Sequence, residues 1–173
     1  FVGEMFRAVH RSPRATVLIN HTHNQLVWSP SHGQALTPAG YGNLFENASV
    51  RLFGESMLFK DVVRDQALDL TSRFEPGELD GEVALTAVAT VVPEVFARHA
   101  VPPQDARGCE WRINPLYAVD DRGTALHATL RFPSADYEDE YGACREYLPA
   151  EVHIDRAAFT ALQSGRAAET LAD

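Results

Sequence analysis

Apolar residues alternate with polar ones over several stretches of the chain, and this is the period of a β-strand. The stretches of extended character are residues 15–28, 65–74, 82–92, 111–119 and 126–132. In 82–92 both alternating sets of side chains are apolar, which is typical of a central strand covered on both faces. Between the last two stretches, Asp121-Arg122-Gly123 predicts a hairpin turn.

One buried helix is predicted among these strands, over residues 37–53. Thr37 is a suitable N-cap, Pro38 stands at the favoured first helical position, and Gly54 is a suitable C-terminal cap. The positions between them form one apolar stripe at helical spacing, namely Tyr41, Leu44, Phe45, Ala48 and Leu52. We therefore expect an α+β domain in which this helix is wrapped by an antiparallel sheet.

Beyond residue 133 the pattern predicts two further elements. The acidic segment 134–147 is predicted to be a solvated loop, and residues 155–171 are predicted to form a second helix that begins at Asp155. With 173 residues and no linker or repeat, we expect residues 1–173 to form a single domain.

Composition narrows the class of function. The net charge of −9 argues against binding to nucleic acid, and no apolar run is long enough to span a membrane. The first residues lack the order of a signal peptide, and Cys109 and Cys144 lack the C-x-x-C spacing, so we expect reduced thiols. Together these features predict a soluble, cytoplasmic protein.

Candidate chemistry lies where the predicted helix begins. His32 precedes this helix in a loop rich in serine, proline and glycine, and Glu46 follows fourteen positions later on the helix. This arrangement resembles the hot-dog-fold dehydratases that act on 3-hydroxyacyl thioesters, in which a histidine and a helix carboxylate have the same separation. The resemblance covers residues 6–133, although the loop and the Pro38-Ala39-Gly40 helix start depart from the family pattern.

The resemblance implies a hot-dog fold with a long central helix and dehydration of a 3-hydroxyacyl thioester. His32 would be the base for the α-proton, and a protonated Glu46 would be the acid for the departing hydroxyl. The substrate-binding positions would lie along the start of the helix, at Gly40, Tyr41, Gly42, Asn43 and Phe45, with backbone N–H groups polarising the thioester carbonyl. It also implies a homodimer, an acyl carrier protein or coenzyme A as carrier, and no cofactor.

Other interpretations stay open. Hot-dog thioesterases use the helix carboxylate without the histidine, and a non-catalytic hot-dog domain would only bind an acyl ligand. Arg7, Arg11, Asn47 and Ser49 loosely resemble the signature of PilZ domains, which bind cyclic di-GMP, but the predicted helix places the last two in mid-helix.

His21-Thr22-His23 is a His-x-His strand motif of the kind that can contribute two metal ligands. The sequence places no completing carboxylate or second histidine motif beside it. We therefore expect no metal.

Overall fold

The computed structural model describes residues 14–45, 48–102 and 112–164. These residues form antiparallel sheets with few and short helices, an α+β arrangement. The strands are β1 (Thr16–His23), β2 (Ser49–Gly54), β3 (Ala67–Asp69), β4 (Ala84–Thr90), β5 (Arg98–Ala100), β6 (Tyr117–Asp121), β7 (Ala125–Leu130) and β8 (Glu151–Asp155). The α-helices are α1 (Pro38–Gly42), α2 (Glu55–Asp65), α3 (Ala135–Tyr141) and α4 (Arg156–Gln163). Within this part of the chain, no helix is long and apolar enough to cross a membrane.

The described residues divide into two compact units. The first unit comprises the residues up to Val101 together with Asp139–Tyr147, and the second comprises Pro102–Glu138 and the residues from Leu148 onward. The first unit contains a sheet of order β1-β4-β2 and a two-stranded sheet of β3 and β5. The second unit contains the antiparallel sheet β6-β7-β8, and α4 contacts β8. The predicted turn at Asp121-Arg122-Gly123 is confirmed as the β6–β7 hairpin.

Strand β4 is the centre of the first unit, and residues Leu85 to Thr90 are all buried. One face of the sheet carries a core cluster of Tyr41, Phe45, Leu52, Leu79, Leu85, Ala87 and Ala89. On the other face, Val88 packs with Phe53, Leu58 and Leu70. The prediction of a central strand covered on both faces is therefore confirmed, because each set of alternating side chains has its own core.

The predicted helix over 37–53 is wrong, and with it the long central helix expected of a hot-dog fold. The helix begins as predicted, since the Thr37 hydroxyl accepts from Gly40 N at 3.1 Å, but it ends at Gly42. Two glycines so close together disfavour a helix by about 1 kcal/mol each. The chain then pairs with β4 as strand β2, which satisfies the backbone of that buried strand.

The C-terminal predictions have a mixed outcome. The segment 134–147 is not a loop, because it contains α3 and a 3₁₀ turn over Gly142–Glu146. The Ser134 hydroxyl caps α3 by accepting from Tyr137 N at 3.1 Å, with Asp136 and Glu138 in the first turn. The predicted helix over 155–171 is confirmed over Arg156–Gln163, and residues 165–171 lie outside the described residues.

Strand β1 contains one extra residue. Ile19 pairs with Ala87 and Thr22 with Leu85, so β1 advances three residues while β4 advances two. This is a β-bulge, and His21 within it has a left-handed φ of 53°. A residue other than glycine rarely adopts this conformation, although histidine is enriched among those that do. The bulge changes which face of the sheet the following side chains point to.

Asn24 follows β1 and is fully buried. Its amide nitrogen lies 3.1, 3.1 and 2.9 Å from the carbonyl oxygens of Leu79, Asp80 and Glu82, and its Oδ1 accepts from Leu26 N at 3.0 Å. One side chain thus satisfies three backbone carbonyls of the segment that leads into β4, of which that of Leu79 is in a buried bond.

We expect Asn24→Ala to lower the free energy of unfolding by about 3 kcal/mol, because these buried and part-buried carbonyls lose their donor. Urea denaturation measures this change. Gln25→Ala is the control, since Gln25 is exposed and its backbone bond to Leu36 survives the substitution. A loss below about 1 kcal/mol for Asn24→Ala would contradict this role.

Glu82 lies against the end of β2. An added Cβ at Gly54 would fall 2.6 Å from its Oε2, which also accepts from the Ser56 hydroxyl at 3.2 Å. Burial raises the pKa of Glu82, the Ser56 hydrogen bond opposes this, and the Glu146 carboxylate adds to it. The folded state therefore favours the protonated acid more than the unfolded state does.

Because the folded pKa lies above the unfolded value, this group contributes stability at low pH that is lost as the pH rises through the folded pKa. We therefore expect Glu82→Gln to be more stable than the wild type at pH 7, and the difference to disappear as the pH falls below 4.5, the ordinary pKa. Thermal denaturation across this range tests it, with the exposed Glu94→Gln as control. A difference that is constant with pH would exclude ionisation as the cause.

Candidate functional site

Two histidines of β1 lie on the side of the sheet that α2 covers. Before the bulge, Val17 and Ile19 pack on the opposite core, while Leu18 and Asn20 point towards α2. The extra residue shifts the alternation, so that His21 bonds to Glu55, the first residue of α2. The rings of His21 and His23 lie 5.4 Å apart, edge to face.

His21 and Glu55 form a close pair at the start of α2. Nδ1 of His21 lies 2.7 Å from Oε2 of Glu55, whose side chain is only 15% exposed. Because a carboxylate only accepts, Nδ1 carries a proton and the lone pair of the neutral ring lies on Nε2. The same ring stacks on Tyr141, with the ring centres 6.0 Å apart. Its orientation is thus held from two sides.

A serine hydroxyl joins His23 to Glu140. The Ser31 hydroxyl donates to Oε1 of Glu140 at 2.5 Å, and its oxygen lies 3.0 Å from Nε2 of His23. Since the hydroxyl has one proton, Nε2 of His23 is the donor in that second bond. Ser29, which is buried, lies 3.5 Å from the other ring nitrogen.

The site favours an ionised Glu140. The hydrogen bond from Ser31 lowers the pKa of Glu140, a bond from Tyr141 and the two nearby histidines lower it further, and desolvation opposes these effects. One ligand-type atom from each of His21, His23 and Glu140 lies within 4.8 Å of the others. The cluster therefore joins two imidazoles and a carboxylate, which are the side chains used in proton transfer and in transition-metal binding.

An apolar cleft adjoins this cluster and shares Glu55 with it. The cleft has a volume of about 530 Å³ including its open mouth, and six of its nine lining side chains are apolar. Its lining comes from β1, α2, β4 and the β3 region, namely Leu18, Asn20, Glu55, Leu58, Phe59, Val62, Leu68, Leu70 and Thr86. Small-molecule sites are also mostly apolar with a few polar groups.

Only one of the two predicted catalytic residues lies in the part of the chain that the structure describes. His32 is half-buried in the loop before α1, where its backbone N–H donates to Ser29 O at 3.2 Å. Glu46 lies outside the described residues. The assignment of His32 and Glu46 as a pair therefore stays a prediction.

The five predicted substrate-binding positions lie in α1 and just after it, and their assignment stays a prediction. Tyr41 and Phe45 belong to the core, where the Tyr41 hydroxyl donates to His23 O at 2.9 Å. The N–H groups of Gly40 and Tyr41 are used by Thr37. Gly42 is half-buried at the end of α1, and Asn43 is exposed at its C-cap.

A second histidine cluster lies in the second unit. His127 and His153 are cross-strand partners, and their rings stack 4.5 Å apart at an angle of 4°. A guanidinium nitrogen of Arg122 lies 3.1 Å from Nδ1 of His127, while Nε2 faces Glu151 at 3.5 Å. Because arginine only donates, Nδ1 carries the lone pair and the ring proton is on Nε2, the reverse of His21.

One argument against the PilZ alternative does not hold in the structure. Ser49 begins strand β2, so the mid-helix position that argued against this alternative is wrong. Arg7, Arg11 and Asn47 lie outside the described residues, and the alternative stays untested.

Searches against protein-family models, curated proteins and solved structures find no significant match to the chain. Sequence reasoning considered His21 and His23 but missed Glu55 and Glu140. The His-x-His motif was the available signal, and the carboxylates that complete the cluster come from distant parts of the chain.

We expect Ser31→Ala to raise the pKa of Glu140 towards its ordinary value of 4.5, because the largest cause of the lowered value is removed. A carboxyl carbon NMR titration measures it. Since the folded pKa is depressed, the Ser31 bond stabilises the protein above pH 4.5, and this contribution is lost as the pH falls through the folded pKa. Ser72→Ala, an exposed serine, is the control. An unchanged Glu140 titration would show that Ser31 does not hold the carboxylate.

Proposed function

We propose that the first unit binds an acyl group, with its chain in the apolar cleft and its head beside Asn20 and Glu55. The observation that carries this proposal is the cleft itself, in which aliphatic and aromatic side chains surround a space with only three polar neighbours. Burial of an alkyl chain is favourable by about 0.8 kcal/mol per methylene. The chain therefore supplies the affinity and the polar neighbours select the head.

The polar neighbours favour an uncharged head group. Glu55 is the ionisable residue of the cleft lining, and a fatty-acid carboxylate beside it would be repelled. A thioester carbonyl accepts from the amide of Asn20, and a hydroxyl on the acyl chain donates to Glu55. This supports a hydroxyacyl thioester over a free acid, with an acyl carrier protein or coenzyme A as the proposed carrier.

Any chemical step on this acyl group falls to His21 and Glu55. They form a histidine–carboxylate pair at hydrogen-bond distance, and Glu55 lines the cleft. Dehydration of the hydroxyacyl thioester is the proposed reaction, and hydrolysis is the alternative. The proposal does not depend on a hot-dog fold. The helix that packs on the sheet beside the cleft is α2, through Leu58, and not the helix predicted over 37–53. The nine lining residues lie in one unit of one chain, so the cleft does not require the expected homodimer.

The test uses a pair of equally exposed leucines. Leu18 is 53% exposed and lines the cleft, whereas Leu26 is 54% exposed and does not. We expect Leu18→Gln to weaken the binding of dodecanoyl-N-acetylcysteamine by about fivefold or more, and Leu26→Gln to leave it unchanged. Calorimetry measures both affinities.

Free dodecanoate is the head-group control and should bind more weakly than the thioester. No binding of the thioester by the wild type, or equal weakening by both leucine substitutions, would exclude the cleft as the acyl site. Tighter binding of dodecanoate would overturn the preference for an uncharged head.

A further inference from the structure

We propose that His21, His23 and Glu140 bind a divalent transition-metal ion of the zinc class, with Glu55 orienting His21. Two histidines and one carboxylate are a ligand set of open zinc sites, in which water takes a further position. The three side chains belong to the first unit, although Glu140 is far from the histidines in sequence. The proposal rests on the ligand geometry of these side chains and not on acyl binding.

The spacing is close to what the ion requires. The three ligand atoms lie within 4.8 Å of one another. A tetrahedral ion about 2.1 Å from each ligand holds them about 3.4 Å apart, so each pair of these atoms has to close by at most about 1.4 Å. Small side-chain rotations achieve this, because the atoms lie at the ends of flexible or half-exposed side chains.

Glu55 gives His21 the tautomer that a metal needs. Its carboxylate holds the proton on Nδ1 at 2.7 Å, which leaves the lone pair on Nε2 for the ion. A ligating histidine usually donates its other ring N–H to a carboxylate or carbonyl in this way, and loss of that partner weakens metal binding. This carboxylate, held at the start of α2, is therefore a positioning group.

Ser31 and Ser29 provide hydrogen-bond partners for either tautomer of His23. Without an ion, Nε2 of His23 donates to Ser31, which donates to Glu140. An ion takes the place of the Nε2 proton, and the neutral ring then carries its proton on Nδ1, where the Ser29 hydroxyl at 3.5 Å accepts it. The ring proton only changes nitrogen, so no charge is left uncompensated on His23.

The second-unit cluster of His127, His153 and Glu151 has a similar composition but a feature that disfavours metal binding. Its ligand atoms are also close together, but Arg122 places a cation at Nδ1 of His127 and so directs the proton to Nε2. A metal ion bound at Nδ1 of His127 would have to displace this arginine. This cluster is therefore a matched control of similar composition within the same chain.

The experiment measures Zn²⁺ affinity of the full chain by competition with a chromogenic chelator, with circular dichroism to verify folding. We expect one tightly bound ion per chain. His23→Ala and Glu140→Gln should each weaken binding at least 100-fold, Glu55→Gln about tenfold, and His153→Ala should have no effect. The visible spectrum of bound Co²⁺ should show the intense bands of a four- or five-coordinate site and should be lost in His23→Ala.

Three outcomes would overturn the proposal: no Zn²⁺ binding at micromolar concentration by the wild type, equal affinity in all variants, or loss of binding in His153→Ala with none in His23→Ala. The titration is done without acyl ligand, and the acyl titration is done with a chelator present. Failure of either proposal therefore leaves the other to be judged by its own result.

Discussion

The arrangement of the candidate site depends on the one extra residue in β1. In a regular strand, His21 and His23 would follow Val17 and Ile19 onto the sheet face that packs on Tyr41, Phe45 and the other core residues there. The bulge turns them to the face of α2, at the cost of a left-handed φ of 53° at His21. Such a conformation disfavours folding by about 1–2 kcal/mol unless its surroundings compensate. The bond to Glu55 and the stacking on Tyr141 provide that compensation.

The junction between β2 and α2 also sets the arrangement of the site, because it fixes the position of Glu55. The strand passes into the helix without a loop, so Glu55 stands both at the end of a core strand and in the first helical turn. A carboxylate is favoured there by the helix dipole, and its place beside β1 follows from the pairing of β1 and β2 with β4. Rigid elements thus set the position of the carboxylate, whereas Glu140 depends on the 139–147 segment and on Ser31.

Sequence patterns predicted what is buried better than they predicted which element buries it. The stripe Tyr41, Phe45 and Leu52 is one core cluster, as its apolar character indicates, but a short helix and a strand contribute to it instead of one long helix. The strand β4 was predictable because both of its faces are apolar. The bulge was not, since an inserted residue shows only in the pairing with β4, and the hydrogen bonds of His21 and His23 to Glu55 and Ser31 depend on it.

Glu55 is the one side chain that the cleft and the histidine cluster have in common, and this limits how the two sites can act. A carboxylate that accepts from an acyl hydroxyl in the cleft shares its charge between that donor and Nδ1 of His21. A weaker hydrogen bond between Glu55 and Nδ1 of His21 also weakens the preference for the tautomer with the lone pair on Nε2. By thermodynamic reciprocity, an ion that strengthens this hold must change acyl affinity by the same factor as the acyl group changes ion affinity. The two sites, where both are filled, are therefore coupled through one carboxylate and need no movement of the sheet.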